Sequence, residues 1–148
     1  MSALPSSWSE PFTVPVERGK IGEIARAAGL LDPSYEREER PSAPPAFFYG
    51  AAYLFGVTWE RPGDSPLGDA PIDPAALLHA EEEVRFPGAP PRAGDTLTGR
   101  TRLESVEEKT SRSSGHTLRF VRATTEFRDA AGAVVATSHT TAVQELGA

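Results

Sequence analysis

The sequence predicts an α+β fold in which a curved antiparallel sheet encloses one apolar helix, and three observations predict it. From Ala76 to the end the chain alternates like a run of strands separated by turn residues. Ahead of that run, Ala46 to Val57 is apolar on every side, and six of the chain's twelve aromatics lie between Phe47 and Trp59. A helix with no polar face belongs inside a fold. An amphipathic helix precedes both, which completes a strand–helix–helix–sheet order.

Residues 1–11 are rich in Ser and Pro and form an irregular lead-in, and residues 12–148 form one domain. Phe12 to Val16 alternates as a short strand, with Pro15 confining it to a sheet edge. Glu17 to Ala28 sets Ile21, Ile24, Ala25 and Ala28 on one helical face, and Gly29 stands where a left-handed residue ends a helix. Glu36 to Arg40 is charged and solvated, and Pro41, Pro44 and Pro45 break any helical turn it makes. After the enclosed helix, Glu60 to Pro74 is dense in Pro, Gly and Asp and forms a long loop.

Four strands follow, at Leu77 to Phe86, Asp95 to Glu107, His116 to Arg128 and Ala133 to Gln144. Asp129 to Gly132 closes the last hairpin, with Gly132 able to take positive φ. In the third strand Leu118 and Phe120 are in one phase, and Val121, Ala123 and Phe127 in the other. That pattern requires either a bulge near Phe120 or burial of both faces. The edge and outer face of such a sheet call for a partner, and a dimer supplies one.

Composition excludes several functions. The 148 residues are 39% hydrophobic and 24% charged with a net charge of −6 and a pI near 5.1, and no stripe of Lys or Arg stands out. Such a chain lacks the footprint that nucleic-acid binding demands. With no cysteine there is no disulfide, catalytic thiol, iron–sulfur cluster or thiolate zinc site. The first fifteen residues show no secretory pattern, and the longest apolar run falls short of the roughly 20 residues that span a membrane. The expectation is a cytoplasmic protein without a membrane segment.

The candidate chemistry is sparse. His79 and Glu81 share a face if their strand is regular, a conceivable dyad. His116 follows Ser113-Ser114-Gly115 in a hairpin loop, and His139 lies in the last strand facing the core or a partner. Arg112, at the Ser111 to Gly115 tip, is either a solvated residue or a phosphate contact. Glu81, Glu82 and Glu83 alternate faces, no His-x-x-x-His pair occurs, and Gly-x-Ser-x-Gly is absent. No metal and no cofactor are expected.

Several phrases together resemble one family. Phe12 to Ile21 followed by Ala28-Gly29, then Pro44-Pro45-Ala46-Phe47, then Leu78-His79-Ala80-Glu81-Glu82-Glu83-Val84-Arg85-Phe86, then Pro91 to Leu97 resemble the MaoC-like dehydratase N-terminal (FAS1-like dehydratase) domains. The third phrase resembles a family strand written Leu-His-Gly-Glu-Gln-Glu-Phe-Glu-Tyr. The resemblance implies the hot-dog fold, a long helix wrapped by an antiparallel sheet and usually paired. It also implies a substrate class, (R)-3-hydroxyacyl or trans-2-enoyl thioesters on coenzyme A or acyl carrier protein.

Dehydration of such a thioester needs a base for the α-proton and an acid for the leaving hydroxyl. It also needs donors for the enolate-like oxygen. Catalytic relatives carry the acid–base pair in Gly-Asp-x-Asn-Pro-x-His, on a loop that enters the partner's acyl tunnel. Here the motif falls on Gly29-Leu30-Leu31-Asp32-Pro33-Ser34-Tyr35. Leu30 occupies the aspartate position and Tyr35 the histidine position, and a phenol with an ordinary pKa of about 10 is a poor base at neutral pH.

The implied role is therefore the non-catalytic subunit. It would pair with a catalytic MaoC-like hot-dog subunit or with itself, and Phe47, Phe48, Tyr53 and Phe55 would line the acyl tunnel. Two other readings remain open. One is a self-sufficient hydratase or thioesterase using Asp32, Tyr35, His79 or a glutamate, and the other is a homodimeric module that binds acyl thioesters without chemistry. Asp32, standing before Pro33, is also a good turn-former.

Overall fold

A computed structural model of the chain describes residues 7–52 and 72–146. The elements in order are β1 (Phe12–Pro15), α1 (Arg18–Ala27), α2 (Ser34–Arg37), α3 (Pro45–Ala51), a 3-10 turn (Pro74–Ala76), β2 (Leu78–Arg85), β3 (Thr96–Thr110), β4 (Thr117–Arg128) and β5 (Val134–Glu145). The strands form one sheet in the order β1-β3-β4-β5-β2, and every neighbouring pair is antiparallel. This is the α+β, hot-dog arrangement that the sequence predicts. The apolar segment is described as helix over Pro45–Ala51, and its continuation toward Val57 lies outside the described residues. No helix among the described residues is long and apolar enough to cross a membrane.

The core forms where α3 meets the inner face of the sheet. Phe47 and Phe48 are fully buried, and Phe48 makes edge-on contacts with Phe86 and Phe127, its ring centroid 5.3 and 5.1 Å from theirs. Val14, Val16 and Leu97 join them from β1 and its pairing with β3, and Ile21 joins them from α1. Full burial of each such side chain contributes about 1.5–3 kcal/mol. Gly99 on β3 has a specific role: a Cβ there would run into the ring of Phe12, which lies across the glycine from β1. The start of α3 is pinned from below, with the Ala43 N–H donating to Pro91 (2.8 Å) and the Ala93 N–H to Pro41 (3.0 Å).

Strand phase is set by unpaired residues. In β2, His79 pairs with Ala142 and Glu81 with Thr141, so Ala80 is an extra residue. Glu104 is likewise extra in β3, between the pairs Leu103–Ala123 and Ser105–Arg122. The phase slip in β4 has a simpler origin than a bulge near Phe120. Its pairing with β5 is regular from Leu118 to Phe127, and no residue from 117 to 127 is exposed. Both faces are covered, the outer one in part by Lys109 and Arg122, which lie 5.5 and 6.0 Å from the Phe120 ring centre. The Asp129 to Gly132 hairpin matches the expectation: Gly132 has φ 84°, and the Asp129 carboxylate accepts from the Ala131 and Ala133 N–H groups at 2.9 Å each.

Candidate functional site

The loop between α1 and α2 holds the residues at the motif positions. Gly29, with φ 69°, ends α1, and the Leu30 N–H returns to the Ala25 carbonyl at 2.9 Å. Asp32 then caps the next turn, its Oδ1 accepting the Ser34 N–H at 2.9 Å. That backbone bond, followed by one from the Ser34 hydroxyl, holds the Asp32 carboxyl below its usual range. Pro33 follows and opens α2.

The two motif side chains, Leu30 and Tyr35, differ in burial. Tyr35 is half-buried against the core, while Leu31 is 93% exposed and Leu30 38% exposed. A groove of about 330 Å³ runs between them, lined by Arg26, Leu30, Asp32, Tyr35 and Arg37 among others. It contains two carboxylates, Asp32 held in a turn and Glu36 paired with Arg26 at 2.9 Å, and no imidazole. The loop carries Leu30 and Tyr35 at the two positions that the resemblance assigns to proton transfer.

An imidazole and a carboxylate do meet elsewhere, and not in the pairing expected from the sequence. Glu81 does not share a face with His79, because the unpaired Ala80 shifts the phase by one residue. Glu82 does share it: His79 Nε2 lies 3.3 Å from Glu82 Oε2. Glu82 sits on the inner face, opposite Thr140 and beside Ser138. The Thr140 hydroxyl donates to Oε2 at 2.7 Å, and the Ser138 hydroxyl, 1% exposed, donates to Oε1. Tyr49 from α3 covers the imidazole, with ring centres 4.5 Å apart. No hydrogen bond or ring contact among the described residues joins this cluster to the α1–α2 loop.

The remaining sequence candidates have structural partners or lie outside the site. His116, in the β3–β4 hairpin, is bonded through Nδ1 to Glu145. His139 is on the outer face rather than in the core, with Nδ1 2.9 Å from the Thr124 hydroxyl. Glu104 lies beside that pair. Burial alone would raise its carboxyl, but hydrogen bonds from Arg102 and Thr124 outweigh this and hold it below the usual range. Arg112 is an exposed residue of the hairpin tip. Phe47 and Phe48 are core residues with no surface left for a ligand among the described residues, and Tyr53 and Phe55 lie outside those residues. Sequence reading missed Glu82, Ser138, Thr140 and Tyr49. Period-two alternation hides a bulge, and the only trace was the small Ala80 inside a charged strand.

A sequence model of the FAS1-like, dehydratase domain region matches residues 3–138. The chain belongs to this family. Comparison of its sequence with curated proteins found no match. Among solved structures, this FAS1-like dehydratase domain is similar to a chain of the HadBC (3R-hydroxyacyl-ACP dehydratase) complex from Mycobacterium tuberculosis. The TM-score is 0.66 at 22% identity, covering 92% of this chain and 93% of that one. It is similar also to a chain of the ChsH1–ChsH2 complex from the same organism, with TM-score 0.69, 20% identity and coverage of 96% and 86%. A MaoC-like dehydratase from Phytophthora capsici gives 0.67 at 24% identity, and there the domain covers 95% of its own length and 47% of the other chain. At these identities the likeness establishes the hot-dog fold.

Proposed function

We propose that this domain is the non-catalytic hot-dog half of an (R)-specific 3-hydroxyacyl thioester dehydratase, working on coenzyme A or acyl carrier protein thioesters. The observation that carries the reading is the α1–α2 loop: its turns are intact, while Leu30 and Tyr35 occupy the two proton-transfer positions and Asp32 is spent on a turn. In this reading a catalytic hot-dog partner supplies the base that takes the α-proton and the acid that protonates the leaving hydroxyl. This domain supplies a wall of the acyl tunnel, with Phe47 and Phe48 fixing α3 from behind and Tyr53 and Phe55 as the proposed lining residues. Two structural neighbours are chains of complexes named for two components, which supports a paired assembly. Strand β2, an edge of the sheet with Leu78 70% exposed, is the place for a partner to dock. The assembly would work in the cytoplasm.

The test is reconstitution. The domain is mixed with a hot-dog subunit that carries the intact Gly-Asp-x-Asn-Pro-x-His motif, and hydration of crotonyl- and longer enoyl-coenzyme A is followed. A gain over the catalytic subunit alone supports the reading, and no gain counts against it.

One observation favours a second reading, a self-sufficient hydratase: the His79–Glu82 contact is an imidazole held by a carboxylate. Turnover by the pure protein, lost on His79→Phe, would promote that reading over the first.

A further inference from the structure

The cluster around Glu82 is built from four strand residues and a helix residue, and its polar groups have a definite order. Both Glu82 oxygens are engaged, Oε1 by Ser138 and Oε2 by Thr140 and His79. Glu82 therefore has little left to offer a ligand. A carboxylate can only accept, so the hydrogen between it and His79 belongs to Nε2. The neutral imidazole then carries its lone pair on Nδ1. Among the described residues Nδ1 makes no hydrogen bond, and 36% of the His79 side chain remains exposed. Tyr49 holds the ring plane from the α3 side. A fixed ring, a fixed tautomer and an open lone pair on the inner face amount to an acceptor of defined direction.

We propose that His79, oriented by Glu82 and Tyr49, is a binding residue that accepts a hydrogen bond from the hydroxyl of a hydroxylated acyl thioester. The chemistry selects the ligand. A 3-hydroxyacyl chain brings an O–H donor to Nδ1, whereas a 2-enoyl or saturated chain brings only C–H groups. This inference rests on the acyl-thioester reading above and deepens it, because it assigns the domain the hydroxylated side of the reaction. The resembled family strand carries glutamine where this chain has Glu82, so the orienting carboxylate belongs to this sequence rather than to that pattern.

The experiment is a titration of the purified full chain by calorimetry with 3-hydroxyacyl-, 2-enoyl- and saturated acyl-coenzyme A of one chain length. Wild type should bind the hydroxylated ligand about tenfold more tightly, the scale of one added hydrogen bond. His79→Phe keeps an aromatic ring against Tyr49 and should abolish that preference. Glu82→Gln should reduce the preference, and it gives a second variant if the first does not fold.

Nitrogen NMR of His79 in the free protein should show Nε2 protonated and Nδ1 bare when the ring is neutral. The opposite tautomer, or a preference that survives His79→Phe, would overturn the proposal. Equal wild-type affinity for all three ligands would overturn it while leaving the acyl-thioester reading intact. Binding of none of them would take down both.

Discussion

The Asp32 carboxylate and the Ser34 amide face each other across 2.9 Å, and that contact commits the one acidic side chain of the α1–α2 loop to holding a turn. Because the bond favours the ionised form, the Asp32 pKa is lowered from its ordinary 3.8. A group with a depressed folded pKa contributes stability that is present above the unfolded pKa and is lost as pH falls through the folded one. Asp32→Asn keeps an acceptor but no titration. The melting-temperature gap between wild type and Asp32→Asn should therefore be widest at neutral pH and close below about pH 3. A gap independent of pH, measured by circular dichroism, would show that the carboxylate is not held in the turn.

Phe48 should be among the costliest truncations in the chain. It is fully buried and edge-on to both Phe86 and Phe127, so Phe48→Ala removes the contact that ties α3 to β4. Urea unfolding should register a loss of about 3–5 kcal/mol. A loss below about 1 kcal/mol would mean that α3 is not seated on the sheet as described.

Gly99 and Phe12 should be coupled. Gly99→Ala places a Cβ in the volume of the Phe12 ring and should destabilise the fold. In a Phe12→Ala background the same change should cost much less, because the obstructing ring is gone. Additive effects in a double-mutant cycle would contradict the packing of β1 across β3.

Much of the fold was legible in the sequence because it rests on local signals. Gly29 and Gly132 adopt the positive φ that their places in the chain suggested, and α1 buries Ile21 and Ala25 as its spacing implied. The four long strands end within a few residues of their predicted limits. The inner-face cluster was not legible, for a physical reason. Ala80 drops out of the ladder between β2 and β5, and one unpaired residue exchanges Glu81 for Glu82 on the side facing α3. No period-two reading of LHAEEEVR contains that step, since the bulge is fixed by pairing with a strand some sixty residues away. For His139 the sequence left the core and a partner-facing surface open, and the register decides it: in β5 the even positions face inward, as the buried Ala136, Ser138 and Ala142 show, so His139 faces outward.

The most direct measurement is turnover by the domain alone. Purified full-length chain is incubated with crotonyl- and longer 2-enoyl-coenzyme A, and loss of the conjugated enoyl absorbance is followed against a protein-free blank. With Leu30 and Tyr35 where proton transfer would take place, the rate should equal the blank at every chain length. Sustained hydration by the lone chain, at a rate like that of competent dehydratases and abolished by His79→Phe, would contradict the non-catalytic assignment.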